Sequence, residues 1–186
     1  MSRIDRLRPE QLDPDQRALY DAIVGGPRGQ GPQHFALTDE DGGLHGPFNA
    51  LLLAPPVGEA LQSVGAAIRY RTALSPRVRE AAILLVAAHW HSEFERMAHE
   101  GVGRSVGLTE DELGALAAGS VPSTVSDEER PYLDATQALL RGDLTASEWE
   151  DASGRIGAAA VFELSTLVGY YGTLALQLRV FRVDPV

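Results

Sequence analysis

The sequence predicts an all-α protein of about seven to nine helices. Apolar residues recur at helical spacing, several helix-start signals precede these segments, and no segment alternates apolar and polar residues as a half-buried strand would. There is also no strand–helix–strand rhythm of the kind that builds a parallel sheet. The length of 186 residues suits one domain, which we expect to span residues 1–186.

The N-terminal region predicts one short helix followed by a long loop. Asp13 before Pro14 is a helix-start signal, because it combines an N-cap acceptor with proline at the first helical position. Residues 25–47 then show no sustained periodicity and contain His34 and His45. A loop of this length is uncommon in a compact domain, so it forms either a binding element or lid, or a disordered segment.

The next part of the chain predicts two helices with one buried face each. The apolar residues of the first helix that share a face are Val57, Leu61, Val64, Ala67 and Ile68. Ser75 and Pro76 start the second helix, as N-cap and first helical residue. The core stripe of that second helix consists of Val78, Ala81, Ala82, Leu85 and Val86. Glu80 lies close to this stripe rather than on the opposite face.

Capping boxes predict three further helix starts, since a Ser or Thr N-cap is followed three residues later by Glu. They are Thr109–Glu112, Ser126–Glu129 and Thr145–Glu148. The last long segment, GRIGAAAVFELSTLVGYYGTLALQLRVF, is apolar on nearly all sides. A helix packed on several sides, a helix at a subunit interface and a helix wholly buried in one chain explain it equally well.

Composition excludes several classes of function. The chain has no cysteine and no lysine, which removes thiol chemistry, disulfides and Schiff-base lysines. Its net charge of −10 argues against nucleic-acid binding. We expect no membrane span, because no apolar run approaches the roughly 20 residues that a span requires. The charged N-terminus lacks the apolar centre of a signal peptide, so we expect a cytoplasmic protein.

Candidate catalytic residues gather in residues 79–107, which hold three of the five histidines. If residues 92–104 form a helix, Glu95 and His99 lie one turn apart on one face. A carboxylate beside an imidazole can orient the ring and make an acid/base pair. Simpler interpretations compete, because Ser92 and Glu95 also fit a capping box and a histidine on a helix face is usually structural.

Metal binding is an alternative use of the same region, since His91, Glu95 and His99 follow the pattern H-x-x-x-E-x-x-x-H. On a continuous helix the outer two residues lie about 12 Å apart along the axis, at 1.5 Å per residue. That separation is too large for one ion unless the helix breaks. The spacing therefore favours acid/base chemistry without a metal.

Three segments carry a family resemblance: L-S-P-R-V-R-E-A-A-I-L-L-V-A, S-E-F-E-R-M-A-H and G-L-T-E-D-E-L-G-A-L. They resemble the signature of the carboxymuconolactone decarboxylase family, which includes the AhpD-like alkylhydroperoxidases. The resemblance is most specific over residues 74–119 and looser over most of the remaining chain. It implies an antiparallel helical bundle, a reaction without cofactor and self-association as a trimer or hexamer.

The peroxidase branch of this family has a glutamate, then a CxxC motif, then a histidine one turn later. Glu80 matches the glutamate and His99 the histidine, while Ser92 and Glu95 stand at the two cysteine positions. A peroxidase cycle is impossible without these thiols. The resemblance therefore implies the decarboxylase-like branch, in which a glutamate and a histidine occupy the pocket.

The resemblance implies a carboxy-lyase that acts on a small carboxylated lactone. We expect His99 to be the general acid, Glu95 its orienting partner and Glu80 a relay carboxylate. The residues expected to bind the substrate are Arg71, Arg96, Ser92, His91 and Trp90. Arginine is included because its guanidinium can hold a carboxylate bidentately. Two alternatives stay open: an inert oligomeric paralogue, and a metal-dependent enzyme using His91, Glu95 and His99.

Overall fold

The computed structural model describes residues 2–30 and 36–183. Within these residues all regular structure is helical, apart from one isolated antiparallel bridge between Thr38 and Leu44. The all-α prediction is confirmed. The described residues form a 3-10 turn and ten α-helices, nine of which have five residues or more.

The elements follow one another with short connections, except between α2 and α3 and between α7 and α8. In chain order they are the 3-10 turn Pro9–Gln11, α1 Pro14–Val24, α2 Pro27–Gln30, α3 Pro47–Leu51, α4 Pro55–Arg71, α5 Pro76–Trp90, α6 Glu93–Ser105, α7 Glu110–Ala117, α8 Arg130–Leu140, α9 Ala146–Arg155 and α10 Gly157–Phe181.

Most of these helices begin where local sequence signals predict. The side chains of Asp13 and Ser75 each accept a hydrogen bond from the first turn of their helix. Complete capping boxes form at Thr109 and Thr145. The Ser126 box also makes both of its hydrogen bonds, at 3.2 and 3.3 Å, although α8 itself begins four residues later.

Helix α5 is the centre of the fold. It packs against α10 on one side and against α7 and α8 on the other, and α6 returns along it. The predicted core stripe is confirmed, since its five residues are at most 4% exposed. Burial of each larger aliphatic side chain contributes about 1.5 to 3 kcal/mol. Glu80 lies within this run and is completely buried.

The predicted buried face of α4 is confirmed at Ile68 and at the partly buried Leu61, but it was wrong at Val57 and Val64. The buried residues of α4 are Gly58, Gln62, Gly65 and Ile68. Val57 and Val64 are instead 60% and 39% exposed. The helix turns its glycines inward because a Cβ at position 58 would collide with the backbone carbonyl of Leu51. Helix α3 can pack closely on α4 because Gly58 has no side chain. A prediction based on the spacing of apolar residues does not detect this contribution.

Helix α10 is 25 residues long and apolar on nearly all sides, as the sequence predicts. Its length and mean hydropathy of 1.3 would suffice to cross a membrane, so the expectation that no segment is long enough was wrong. However, 44% of its most apolar window is buried inside the protein, against α5, α8 and α9. Nine of the 25 residues of α10 are buried in this packing.

The described part of the predicted loop packs onto the N-terminal helices. The Asp39 carboxylate accepts hydrogen bonds from the backbone of Asp41 and Gly43, at 3.0 and 2.7 Å, and closes a turn. Leu44 is completely buried in a cluster with residues of α1 and α3. His34 lies outside the described residues, and a role of the loop as a lid stays a prediction.

Candidate active site

A buried hydrogen bond joins α5 to α6 at the predicted site. His99 Nδ1 lies 2.7 Å from Glu80 Oε2, and the side chain of Glu80 is fully buried while that of His99 is 11% exposed. With Glu80 ionised, His99 Nδ1 carries the proton and donates a hydrogen bond to the carboxylate. The other ring nitrogen, Nε2, is left for another partner. The ring of Tyr171 packs edge-on against the imidazole, with 5.2 Å between ring centroids. The ring is therefore held on two sides.

The contact with His99 and two nearby arginines keep Glu80 ionised. Burial alone would raise the pKa of the Glu80 carboxyl, but His99, Arg69 and Arg79 together outweigh burial and lower the pKa below its ordinary value. Arg79 Nε lies 3.4 Å from Glu80 Oε1. The resulting arrangement, a carboxylate that fixes and polarises an imidazole, is suited to moving a proton at His99 Nε2.

Two members of this cluster were missed by the sequence-based prediction. Tyr171 lies in the middle of α10, where no sequence feature distinguishes it from the other residues of this apolar helix. Arg69 lies in the last turn of α4, is partly buried, and interacts electrostatically with Glu80 and Tyr171. Neither residue belongs to a local motif, and both reach the site through the packing of α4 and α10 on α5.

A second buried polar group lies one helical turn before His99. Glu95 is 3% exposed and Ser92 is 9% exposed. The Ser92 hydroxyl and the Glu95 carboxyl lie next to each other, and neither has a further hydrogen-bond partner in the described part of the chain. Burial raises the pKa of Glu95 to about 8, and the nearby Ser92 hydroxyl offsets this only in part. Glu95 therefore retains its proton at neutral pH and can act as a proton donor.

These contacts correct two predictions. Ser92 is the N-cap residue of α6, but its hydroxyl caps no backbone amide, so the capping box with Glu95 does not form. The carboxylate that accepts the orienting hydrogen bond from His99 is that of Glu80 rather than that of Glu95. The reason is geometric: Glu80 faces the ring across the α5–α6 contact, whereas Glu95 lies one turn away along the same helix.

Three of the five predicted substrate-binding residues, Trp90, His91 and Ser92, line one cavity, whereas Arg71 and Arg96 lie elsewhere on the surface. Arg71 is exposed at the end of α4, and Arg96 is 47% exposed and paired with a neighbouring glutamate at 2.9 Å. His91 is exposed and has the left-handed conformation, with φ of 52°, that ends α5. Trp90 is partly buried against α10. Of the five, Ser92 is the one that adjoins the Glu95 carboxyl.

A cavity of about 240 Å³ opens where α6 begins. Trp90, His91 and Ser92 line it from the α5–α6 junction, and Arg179 and Arg182 line it from the end of α10. Glu80, Glu95 and His99 line neither this cavity nor two others, one between α8 and α9 and one beside α5, α7 and α8. Ser92 thus connects the cavity to the buried acid.

The metal alternative is not supported. Within residues 2–30 and 36–183, no three histidine, aspartate or glutamate side chains lie close enough to share an ion. His91 lies outside α6 and is exposed, whereas the His99 ring faces Glu80. His91, Glu95 and His99 therefore do not come together at one place where they could share an ion.

A serine motif in the same helix also lacks a catalytic setting. Residues 103–107, G-R-S-V-G, have the G-x-S-x-G spacing of a nucleophile elbow. They lie at the C-terminal end of α6 instead of at a strand-to-helix turn, and Ser105 Oγ donates to the Val102 carbonyl at 2.7 Å. A serine nucleophile is not indicated here.

Comparison with solved structures identifies the fold as AhpD-like. A peroxidase-related protein of Ralstonia eutropha JMP134, described as an alkylhydroperoxidase AhpD core, superposes with a TM-score of 0.76 at 13% identity and covers 100% of this chain and 93% of its own. A complex of the debrominase Bmp8 with 2,3,4-tribromopyrrole gives 0.71 at 11% identity, covering 100% and 94%.

A protein from Agrobacterium tumefaciens, described as a putative antioxidant defence protein AhpD, gives a TM-score of 0.63 at 15% identity and covers 74% of this chain and 96% of its own. No protein-family profile and no curated protein sequence matches the chain. At these identities the likeness establishes the helical fold, and the reaction must be argued from the site.

Proposed function

We propose that this protein is a cofactor-free acid/base enzyme of the carboxymuconolactone decarboxylase type, acting on a small carboxylated lactone. The observation that carries the proposal is the Glu95 carboxyl, which is buried beside Ser92, so that its pKa is raised to about 8. It lies one turn from an imidazole that Glu80 holds in a fixed orientation. The absence of cysteine rules out a thiol-based reaction on this fold.

The proposed reaction needs a proton donor and no redox partner. The bond between the substrate carbon and its carboxylate breaks, CO2 leaves, and the electron pair passes into the conjugated lactone carbonyl to give an enolate. The carbon framework then takes a proton from the Glu95 carboxyl. The resulting Glu95 carboxylate regains a proton from solvent through His99 Nε2, while Glu80 holds the other ring nitrogen.

In this scheme Glu95 is the proton donor and Glu80 orients His99. The sequence had predicted His99 as the donor and Glu95 as its orienting partner. Glu95 is the better donor because its pKa of about 8 keeps the proton in place at pH 7. His99 becomes the relay, since the hydrogen bond from Nδ1 to Glu80 favours taking up and releasing a proton at Nε2.

The test is an assay of CO2 release across a panel of carboxylated lactones. Loss of a general acid or base typically costs a factor of about 100 to 10,000, so Glu95→Gln and His99→Ala should lower kcat by at least about 100-fold on an active substrate. Glu100→Gln, a partly exposed acid in the same helix, is the matched control and should retain activity. Full activity in both site variants would overturn the assignment.

An inert paralogue is the second candidate. It is favoured by the lining of the described cavities, none of which includes Glu80, Glu95 or His99. This alternative predicts no turnover with any carboxylated lactone. It also predicts that Glu95→Gln alters stability alone.

We also propose that the chain self-associates, as a trimer or hexamer. Large apolar side chains on α4 and α10 remain exposed, including Val57 at 60% and Phe162 at 71%. Apolar patches on otherwise polar surfaces commonly mark protein–protein contacts. Light scattering should give the assembly mass, and Phe162→Glu should shift it towards the 20.0 kDa monomer.

A further inference from the structure

The cavity at the start of α6 is positively charged in a protein whose net charge is −10. Arg179 and Arg182 contribute two positive charges to its lining, and Glu93 contributes one negative charge, so the balance is +1 with histidine neutral. Neither arginine forms an ion pair with any described carboxylate. A local excess of positive charge without a protein partner is a feature of anion sites.

The two arginines differ in how firmly they are held. Arg179 donates a hydrogen bond to the Trp90 carbonyl, and its guanidinium lies over the Trp90 ring at 5.9 Å from the centroid. These contacts fix the side chain at the cavity while leaving further N–H donors available. Arg182 follows the end of α10 in the left-handed conformation and is exposed, so its guanidinium can close over a bound ligand.

Ser92 and the start of α6 add a second feature. Ser92 lines the cavity and is 9% exposed, while its hydroxyl is buried beside the Glu95 carboxyl. The same side chain leaves the first turn of α6 uncapped. The N-terminal end of this 13-residue helix therefore presents backbone donors and the positive end of its dipole at the cavity.

Size and lining define the ligand more closely. At about 240 Å³ the cavity is smaller than the roughly 300 to 1,000 Å³ of sites for drug-sized ligands, so it suits a small metabolite. Phe94, Ala175 and Leu178 give it apolar walls beside the charged groups. A ligand that fits these surroundings has one carboxylate and a short apolar body.

We propose that this cavity binds a small apolar carboxylic acid, whose carboxylate contacts Arg179, Arg182 and the start of α6. Binding itself does not depend on any reaction. Its link to turnover rests on the proposed function, because Glu95 follows Ser92 by three residues, about 4.5 Å along the helix axis. A carboxylate held at Ser92 would place the attached carbon framework towards the buried proton donor.

Tryptophan fluorescence offers a direct test, since the chain has two tryptophans, Trp90 and Trp149. Trp149 is 45% exposed in α9, so Trp149→Phe leaves the cavity residue as the sole reporter. Benzoate should change its fluorescence saturably, whereas benzamide, the neutral isostere, should not. Inorganic phosphate is the third probe, and it should bind at least tenfold more weakly than benzoate because it has no apolar body.

Arg182→Gln should weaken benzoate binding about tenfold, while Arg182→Lys should restore most of it. Arg141→Gln is the matched control, because Arg141 is an exposed arginine that pairs with Glu148 at a different place on the surface. Calorimetric titration of the unmodified chain provides the same constants without the Trp149 substitution. Equal binding of benzoate and benzamide, equal binding of phosphate and benzoate, absence of saturable binding, or unchanged affinity in Arg182→Gln would each overturn the proposal.

The binding proposal and the proposed function can fail separately. If a carboxylated lactone is turned over and Arg182→Gln raises KM with kcat unchanged, both stand. Turnover with an unaffected KM refutes the binding site alone. Specific benzoate binding without turnover of any lactone refutes the proposed reaction and leaves the binding site in place.

Discussion

Replacing Glu95 with glutamine should make the protein more stable at pH 8 while changing little at pH 5. The carboxyl of Glu95 has a pKa of about 8 in the folded chain, against 4.5 for an ordinary glutamate. A carboxyl with a raised folded pKa binds more protons in the folded than in the unfolded state between these values. The free energy of unfolding must therefore fall as pH rises from 4.5 to 8.

The size of the effect follows from the two pKa values. One pKa unit corresponds to about 1.4 kcal/mol, so the full shift of this carboxyl is worth roughly 5 kcal/mol. About 3 to 4 kcal/mol of this should be lost between pH 5 and pH 8. Glutamine does not ionise, so the stability of the variant relative to wild type should rise by that amount over the same interval.

Urea unfolding of both proteins at pH 5, 6, 7 and 8 would measure this difference. Glu59→Gln, at an exposed position of α4, removes the same formal charge and controls for the change in net charge. Curves for wild type and Glu95→Gln that run parallel from pH 5 to pH 8 would refute the reasoning. They would mean that Glu95 is either solvated or paired in the folded protein.

Three further substitutions test other parts of the structure. Gly46→Ala should lower the free energy of unfolding by at least about 2 kcal/mol in urea titrations, because φ is +59° there and a Cβ would collide with the Phe94 ring. Arg77→Ala should cost about 3 to 5 kcal/mol by the same measurement, because it leaves the buried Glu112 carboxylate, 2% exposed, without its cation. Glu80→Gln should cost about 1.5 to 3 kcal/mol at pH 7. Because the pKa of Glu80 is lowered, its contribution is present above pH 4.5 and fades in acid, so wild type and variant should converge in a pH series.

The fold could be predicted wherever the signal is local. Thr109 and Thr145 form the capping boxes that their sequence indicates, since both partners of the interaction lie within one helical turn. The face of α4 could not be predicted in the same way. Its orientation is set by Gly58 against the carbonyl of Leu51, and periodicity weighs only the side chains that are present.

The candidate site likewise combines residues that local sequence patterns identify with contacts that only the folded chain shows. The match to a family pattern assigned Glu80 and His99 to one site, but the 2.7 Å contact between them depends on how α6 folds back on α5. Spacing on a helix suggested Glu95 as the partner because only intrahelical distances can be read from a sequence. Arg69 and Tyr171 come from α4 and α10, and no local pattern links these segments to the histidine.

Two opposing effects set the pKa of an acidic group at the start of α6. A helix N-terminus favours anions, and it would lower the pKa of a thiol or carboxyl placed there. Glu95 lies in this first turn, yet burial prevails and its pKa rises to about 8. A carboxylate bound beside Ser92 would place a negative charge close to Glu95 and disfavour its ionisation further. When CO2 departs, that negative charge moves from the carboxylate to the enolate, and the enolate is the group that takes the proton from Glu95.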